Sequence, residues 1–260
     1  ENILLDFSYA GYAHGETAPA DVYTLGYKVF DVTDYGAVAD DGKSDREAFM
    51  KCLEAATDAS FTERTGYLII TKSKANAIIY FPEGEFILHE AADDYVENGQ
   101  SFSRSIQISA GNIVMKGAGR DKTRIVMKDP NRPTDEAVLY SSPSMLVFKH
   151  NSGLSKVTDV KANAAKGSFS VEVASVSGLS AGDWVCLTMV NNDPACIANE
   201  LRPYEVEPVM DDLIKNGVQV YDYHQIASID GNVVTFREPL MHEVDLKYTS
   251  FTGDSYNWRL

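Results

Sequence analysis

One amphipathic helix followed by a run of short β-branched segments with glycine corners narrows most what this chain can fold into. Over residues 45–58, Ala48, Phe49, Cys52, Leu53, Ala55 and Ala56 recur at helical spacing. One face of that helix is apolar and must pack on something. Ser44, with Glu47 three residues on, predicts a capping-box start. Tyr67–Thr71, Ala77–Phe81, Glu85–Leu88, Ser105–Ser109, Asn112–Lys116, Thr123–Met127 and Ser144–Phe148 then read as strands. Gly, Pro, Asn and Asp separate them. Such a succession fits a stacked solenoid as well as a sandwich, and spacing alone does not choose.

The flanks read differently. Residues 1–30 form an extended lead-in in which Tyr9, Tyr12, Tyr23 and Tyr27 alternate with Gly11, Gly15 and Gly26. Asp31–Gly36 predicts a short strand ending in a glycine turn. Residues 156–240 predict a small β subdomain: alternation over Ser168–Val173, a turn before Trp184–Thr188, and a hairpin of Tyr221–Ile229 with Val233–Phe236. Residues 191–208 read as a long loop, and Asp211–Lys215 as one helical turn.

The 260 residues carry 38 acidic and 23 basic side chains, a net charge of −15. With 44% hydrophobic residues the chain is globular rather than disordered, and long enough to bury a core. Strong acidity argues against a nucleic-acid partner. No run approaches ~18 apolar residues, so no membrane-spanning helix is expected. Cys52, Cys186 and Cys196 lie at no metal-ligand spacing and read as buried thiols, although a Cys186–Cys196 bridge would suit an oxidising compartment. The chain opens at Glu1 with no signal peptide, as a processed or cloned segment would.

Val32, Asp34, Tyr35, Gly36, Ala37, Asp41, Gly42, Lys43, Ser44, Asp45, Ala48 and Phe49 resemble the N-terminal cap of the pectate-lyase-like right-handed β-helix superfamily. Ile79–Ile87 resembles its first full coil, and Ile106–Gly119, with Lys116-Gly-Ala-Gly119, the next, closed by Thr123–Met127. The match runs over residues 29–150 with its motifs in order. It implies an all-β fold: a right-handed parallel β-helix with an N-terminal capping helix and a β-rich inserted subdomain. The implied organisation is a lead-in at 1–30, cap and first coils at 31–155, the insertion at 156–243, and a return to the β-helix at 244–260. Gly36, Gly84, Gly117 and Gly119 suit the corners, and Asp41 and Asp45 suit side-chain bonds that hold the cap loop. The Gly178–Val185 run is similar to an insertion in members from polysaccharide-degrading gut Bacteroidetes. Too few coils fit before residue 150 for a complete β-helix, so the chain is expected to be an N-terminal piece with catalytic coils beyond Leu260.

The resemblance implies a secreted, periplasmic or cell-surface monomer whose partner is a polysaccharide. The leading expectation is a polysaccharide lyase cleaving a uronic-acid glycan by β-elimination. The alternatives are a glycoside hydrolase, or a non-catalytic glycan-binding or adhesive β-helix. A lyase needs a cation for the carboxylate, a base and an acid; a hydrolase needs two carboxylates. Lys149-His150 offers a base beside a cation, or else a solvated strand end. Tyr221-Asp-Tyr-His224 is the densest acid/base cluster: strand spacing places Tyr223 with Tyr221 on one face, and Asp222, able to orient His224, on the other. The bland alternative is an aromatic face on the core with a solvated polar face. Arg202 and Tyr204 are candidate sugar contacts in the long loop. Trp258 is a candidate sugar platform, although core suits both it and Trp184. No cofactor is expected; calcium is conceivable at Asp40-Asp41, Asp93-Asp94 or Asp211-Asp212, without the ligand spacing of an EF-hand.

Overall fold

The structure is a computed structural model and describes residues 20–64, 66–133, 135, 137–150, 153–248 and 256–260. Tyr9, Gly11, Tyr12 and Gly15 of the expected lead-in lie outside the described residues. The chain divides into two compact units, one over Pro19–Gly153 and one that takes in Leu154–Leu260.

In the first unit, β1 (Lys28–Asp31), α1 (Arg46–Thr57), β2 (Thr62–Arg64), β3 (Tyr67–Lys72), β4 (Ala77–Phe81) and β5 (Gly84–His89) come first. A small antiparallel hairpin of β6 (Tyr95–Glu97) and β7 (Gln100–Phe102) follows. Then come β8 (Ser105–Ala110), β9 (Ile113–Gly117), β10 (Thr123–Met127) and β11 (Leu146–Phe148). Three parallel sheets result: β1-β4-β9, β5-β10, and β3-β8-β11, the last flanked by antiparallel β2. Partners lie one chain repeat apart: Ile78 with Val114, Leu68 with Ile106, Phe86 with Ile125, Ile106 with Leu146. The predicted strands form where the β-branched runs are, because each repeat places its apolar residues over those of the previous one.

The core of this unit is Phe30, Val32, Phe49, Leu53, Ile70, Ile79, Phe81, Phe86, Leu88, Ile106 and Ile108. Phe81 bridges helix and sheets, with ring centroids 5.6 Å from Phe49 and 5.3 Å, edge-on, from Phe86. The apolar face of α1 supplies Ala48, Phe49, Cys52, Leu53 and Ala56 to this core, as its periodicity predicted, while Ala55, also expected there, is exposed.

Two local expectations are corrected. The predicted strand Asp31–Gly36 is a 3-10 turn, Val32–Tyr35, capped by the Asp31 carboxylate, which accepts from the Thr33 N–H at 2.9 Å. The predicted capping box forms only by half: the Ser44 hydroxyl accepts from the Arg46 N–H at 3.2 Å, but Glu47 does not return the bond. Asp45, not Ser44, precedes the helix, because Ser44 is held extended in a parallel bridge to Ile87. The Ser44 hydroxyl donates to Asp93 at 2.7 Å, and Glu47 pairs with Lys51 at 2.7 Å. Asp41 accepts from the Lys43 N–H at 2.9 Å, and Asp45 from the N–H groups of Val38 at 2.8 Å and Ile87 at 3.1 Å. Both carboxylates hold the cap loop.

A buried polar corner ties α1 to the sheets. The Arg46 guanidinium donates to the carbonyls of Leu88 at 3.2 Å and Arg104 at 2.6 Å. Beside it His89 is buried, its Nε2 3.8 Å from Asp94. Asp94 accepts from the Ser103 hydroxyl at 2.6 Å and from Arg132 at 2.9 Å.

The second unit holds β12 (Ser170–Glu172), β13 (Trp184–Asn191), α2 (Pro194–Glu200), α3 (Asp211–Asn216), β14 (Val218–Asp230), β15 (Val233–Phe236) and β16 (Tyr256–Arg259). They form an antiparallel sheet in the order β12-β15-β14-β13-β16. The predicted hairpin is β14–β15. The expected loop at 191–208 contains α2, a correction with a readable cause: Asp193 accepts from the Ala195 N–H at 2.8 Å, and Pro194 opens the helix. The core is built on Val160, Val171, Leu187, Met189, Val220, Ile226, Val234, Phe236, Val244 and Trp258.

Candidate functional site

Within the second unit, the inward residues at the end of β13 open on a cleft. Met189 and Asn191 come from β13, Cys196, Asn199 and Glu200 from α2, and Trp258 from β16. Glu243, Asp245 and Tyr248 come from the segment after β15. That segment is fixed by Val244, whose N–H donates to the Ala164 carbonyl at 2.8 Å and whose carbonyl accepts from Ala164 at 3.0 Å. Val244 is buried, so strand alternation places Glu243 and Asp245 together on the other side. The cleft is shallow and open to solvent. Its closed part has room for about one water molecule, so a sugar could meet these groups only across the mouth.

Three carboxylates, two amides and two aromatic rings make this lining; it has no lysine, arginine or histidine. Glu200 lies 3.7 Å from His242 Nδ1 and 3.5 Å from the Asn199 amide. A hydrogen bond from Lys247 holds the Asp245 carboxyl below the usual carboxylate range, against a smaller push from burial. Burial, then the charges of Glu200, Asp193 and Asp245, push the Cys196 thiol up to about 11. Cys196 therefore stays protonated at neutral pH and is no nucleophile. An ionised carboxylate with further carboxyls nearby can serve acid/base chemistry on an uncharged sugar. The basic groups nearby, Lys247, His242 and Arg202, contact Asp245, Glu200 and Asn199 from the rim and lie outside the lining itself.

The sequence-predicted residues are dispersed. Lys149 and His150 are exposed in the first unit, just after β11, where the Lys149 N–H donates to the Ile108 carbonyl at 3.2 Å. Tyr223 and His224 lie on opposite faces of β14. The burial sense of that strand is the reverse of the aromatic-face-inward alternative: Asp222 and His224 face the core, and Tyr221 and Tyr223 face out. The buried polar pair packs beside Phe236 and Glu238. His224 stacks on Phe236 at 4.5 Å, its Nε2 3.0 Å from Asp222 and its Nδ1 4.0 Å from Glu238. Burial raises the Asp222 carboxyl, but His224 and the Met241 N–H, donating at 3.0 Å, outweigh it and leave the group below its usual range. Asp222 stands beside His224 at 3.0 Å, yet His224 is fully buried and Asp222 nearly so.

Trp184, expected in the core, is 65% exposed as the first residue of β13. Trp258, the candidate platform, is only 3% exposed and belongs to the core, so no ring face is free for stacking. It does form a wall of the cleft. Arg202 and Tyr204 follow α2 and are exposed; the Arg202 guanidinium donates to the Asn199 side chain and so borders the cleft. Sequence reading missed Asn191, Asn199, Glu200, Glu243 and Asp245. The helix signal at Asp193-Pro194 and the Glu-Val-Asp alternation at 243–245 were the available cues. Among the described residues no cluster of three or more His, Cys, Asp or Glu is placed to hold a metal ion, and no helix is long and apolar enough to cross a membrane.

The profile of the family described as "Rhamnogalacturonase A/epimerase, pectate lyase-like" matches residues 29–180, more than half of the chain. Among curated proteins none is a significant match. Solved structures similar to this chain include the tailspike gp61 of Pseudomonas phage phi297 (13% identity, TM-score 0.40, covering 83% of this chain and 30% of that one). The tailspike gp49 of Pseudomonas phage LKA1 is similar at 14% identity and TM-score 0.37, over 88% of this chain and 31% of the other. The gp54 tailspike of Acinetobacter baumannii bacteriophage AP22, solved with A. baumannii capsular saccharide, is similar at 14% identity and TM-score 0.35, over 99% and 29%. The chain thus spans about 30% of the length of these tailspikes.

Proposed function

We propose, from the premise that this chain belongs to the rhamnogalacturonase A/epimerase, pectate-lyase-like family, that it is part of a polysaccharide-cleaving enzyme built on a right-handed parallel β-helix. The recurring parallel partners of the first unit, capped by α1, support the β-helix. Of the two cleavage chemistries, hydrolysis fits the described residues better. The observation that carries it is the cleft bearing Glu200, Glu243 and Asp245 with no cation in its lining. In such a site Asp245, held ionised by Lys247, takes the base or nucleophile role, and Glu200 or Glu243 delivers a proton to the leaving oxygen. β-Elimination on a uronic-acid glycan is the second reading, favoured by the exposed Lys149-His150 pair. A net charge of −15 opposes it, since a polyuronate needs a local basic groove to approach.

A polysaccharide screen that follows reducing ends together with ultraviolet absorbance of a new carbon–carbon double bond tests both. Reducing ends without absorbance are expected. Absorbance rising with them would replace hydrolysis by elimination. No release from any glycan by the longest form of the protein would end the enzyme reading.

A further inference from the structure

The sheet that closes the cleft on one side presents a different chemistry on the other. Register fixes which side chains share that outer face. Trp184 stands opposite Gln225, Cys186 opposite Tyr223, Thr188 between Tyr221 on β14 and Arg259 on β16, and Val190 opposite Gln219. Trp184 is 65% exposed, Tyr223 56% and Tyr221 51%. Between them Cys186 and Thr188 are buried although they point outward, so the tyrosines lie over the sheet rather than away from it. Tyr223 stands across from the buried Cys186, and as close neighbours Cys186 raises the proton affinity of Tyr223 while Tyr223 lowers that of Cys186.

Two properties separate this face from ordinary surface. It groups three large rings: Tyr221 and Tyr223 stand about 7 Å apart along the strand, with Trp184 diagonal to Tyr223. Among the described residues in register on it none is a carboxylate, in a chain with 38 acidic residues, while Arg259 lies in register at one end. Exposed aromatic groups of this kind mark binding surfaces. Flat rings stack on the C–H faces of sugar rings, and the amides of Gln219 and Gln225 with the tyrosine hydroxyls can bond sugar hydroxyls. Without carboxylates in register, this face admits an acidic as well as a neutral glycan, whereas the carboxylate-lined cleft suits a neutral one.

We propose that the outer face of β13–β14, centred on Trp184, Tyr223 and Tyr221, is a glycan-binding surface on which a polysaccharide chain lies, on the side of the sheet opposite the cleft. The inference rests on the glycan-acting reading and adds a holding surface separate from the groups that cleave. Its occupant is a sugar chain rather than a second copy of the protein.

The test is affinity electrophoresis of the full chain in gels containing rhamnogalacturonan, polygalacturonate or a neutral galactan, with reducing-end release measured on the same three. Wild-type protein is expected to be retarded by at least one of them. The triple variant Trp184→Ala/Tyr221→Ala/Tyr223→Ala should bind at least tenfold more weakly, while Glu97→Gln, an exposed change in the first unit, is retarded like wild type. Should the triple variant fail to fold, Trp184→Ala alone carries the comparison and should still lose most of the retardation. Equal retardation of wild type and aromatic variants would overturn the proposal, as would no retardation by any of the three. Sugar release without retardation would remove the surface and leave the glycan reading standing; neither would remove both. A dimer in sedimentation that the aromatic variants dissolve would reassign the face to self-association.

Discussion

Asp45 and Ile87, 42 residues apart, hold each other through both backbone and side chain. The Asp45 N–H donates to the Ile87 carbonyl at 2.7 Å, and the Ile87 N–H donates to the Asp45 carboxylate at 3.1 Å. The same carboxylate takes the Val38 N–H at 2.8 Å. One acidic side chain thus joins the cap loop, the start of α1 and strand β5.

Asp45→Ala should strand two backbone donors and cost about 2–4 kcal/mol, read as a lower urea midpoint. The pH dependence has a defined sign. Burial raises the Asp45 carboxyl above its ordinary value, against the lowering by its two backbone bonds. The folded state therefore binds the proton more readily than the unfolded one. The stability this group contributes is full below the ordinary carboxylate range and lost as pH rises through the folded value. Asp45→Asn should flatten that part of the stability–pH curve; an unchanged slope would refute the assignment.

His89 works in the opposite direction. Burial lowers its pKa; Arg46 lowers it further, while Asp94, Asp93 and Asp129 oppose. The unfolded chain takes the proton first as pH falls, so stability is lost from the ordinary histidine range down through the folded value. Urea midpoints measured between pH 8 and pH 5 should fall for wild type and fall less for His89→Gln.

Gly84 sits at φ +126°, and a Cβ there would lie 2.6 Å from Ala39 Cβ and 2.9 Å from the Asp40 carboxylate. Asp40 in turn accepts from the Glu85 N–H at 2.9 Å, so the neighbour cannot retreat freely. Gly84→Ala should lower stability by at least about 1–3 kcal/mol, whereas Gly231→Ala, with open space at its turn, should cost less.

The three thiols are free and buried. Burial pushes Cys52 up to about 12 and Cys196 to about 11, and raises Cys186 as well. Ellman's reagent at pH 8 should leave the folded protein nearly unmodified and titrate all three once urea unfolds it. A rapid stoichiometric reaction in the native state would contradict the packing.

For the cleft, Asp245→Asn should lower kcat for glycan hydrolysis by about 10²–10⁴ with little change in KM or urea midpoint. A loss confined to KM would mean that Asp245 only positions the sugar.

The sequence by itself determined α1, the positions of β3, β4, β5, β8, β9 and β10, and the corner at Gly84. Each of these depends on local periodicity or on a backbone angle that one residue type favours. It also determined that Tyr221 pairs with Tyr223 and Asp222 with His224 on β14, because strand side chains alternate. Only the tertiary structure decided which pair is buried. A period of two sorts residues into two sets and says nothing about which set meets the core. Phe236 stacking on His224 and the Met241 N–H bonded to Asp222 made the polar set the inner one, leaving Tyr221, Tyr223 and Trp184 outside. The cleft was decided the same way: Asn191, Glu200, Asp245 and Trp258 are far apart in the chain, and only the packing of α2, β13, β16 and the Val244 segment brings their side chains together.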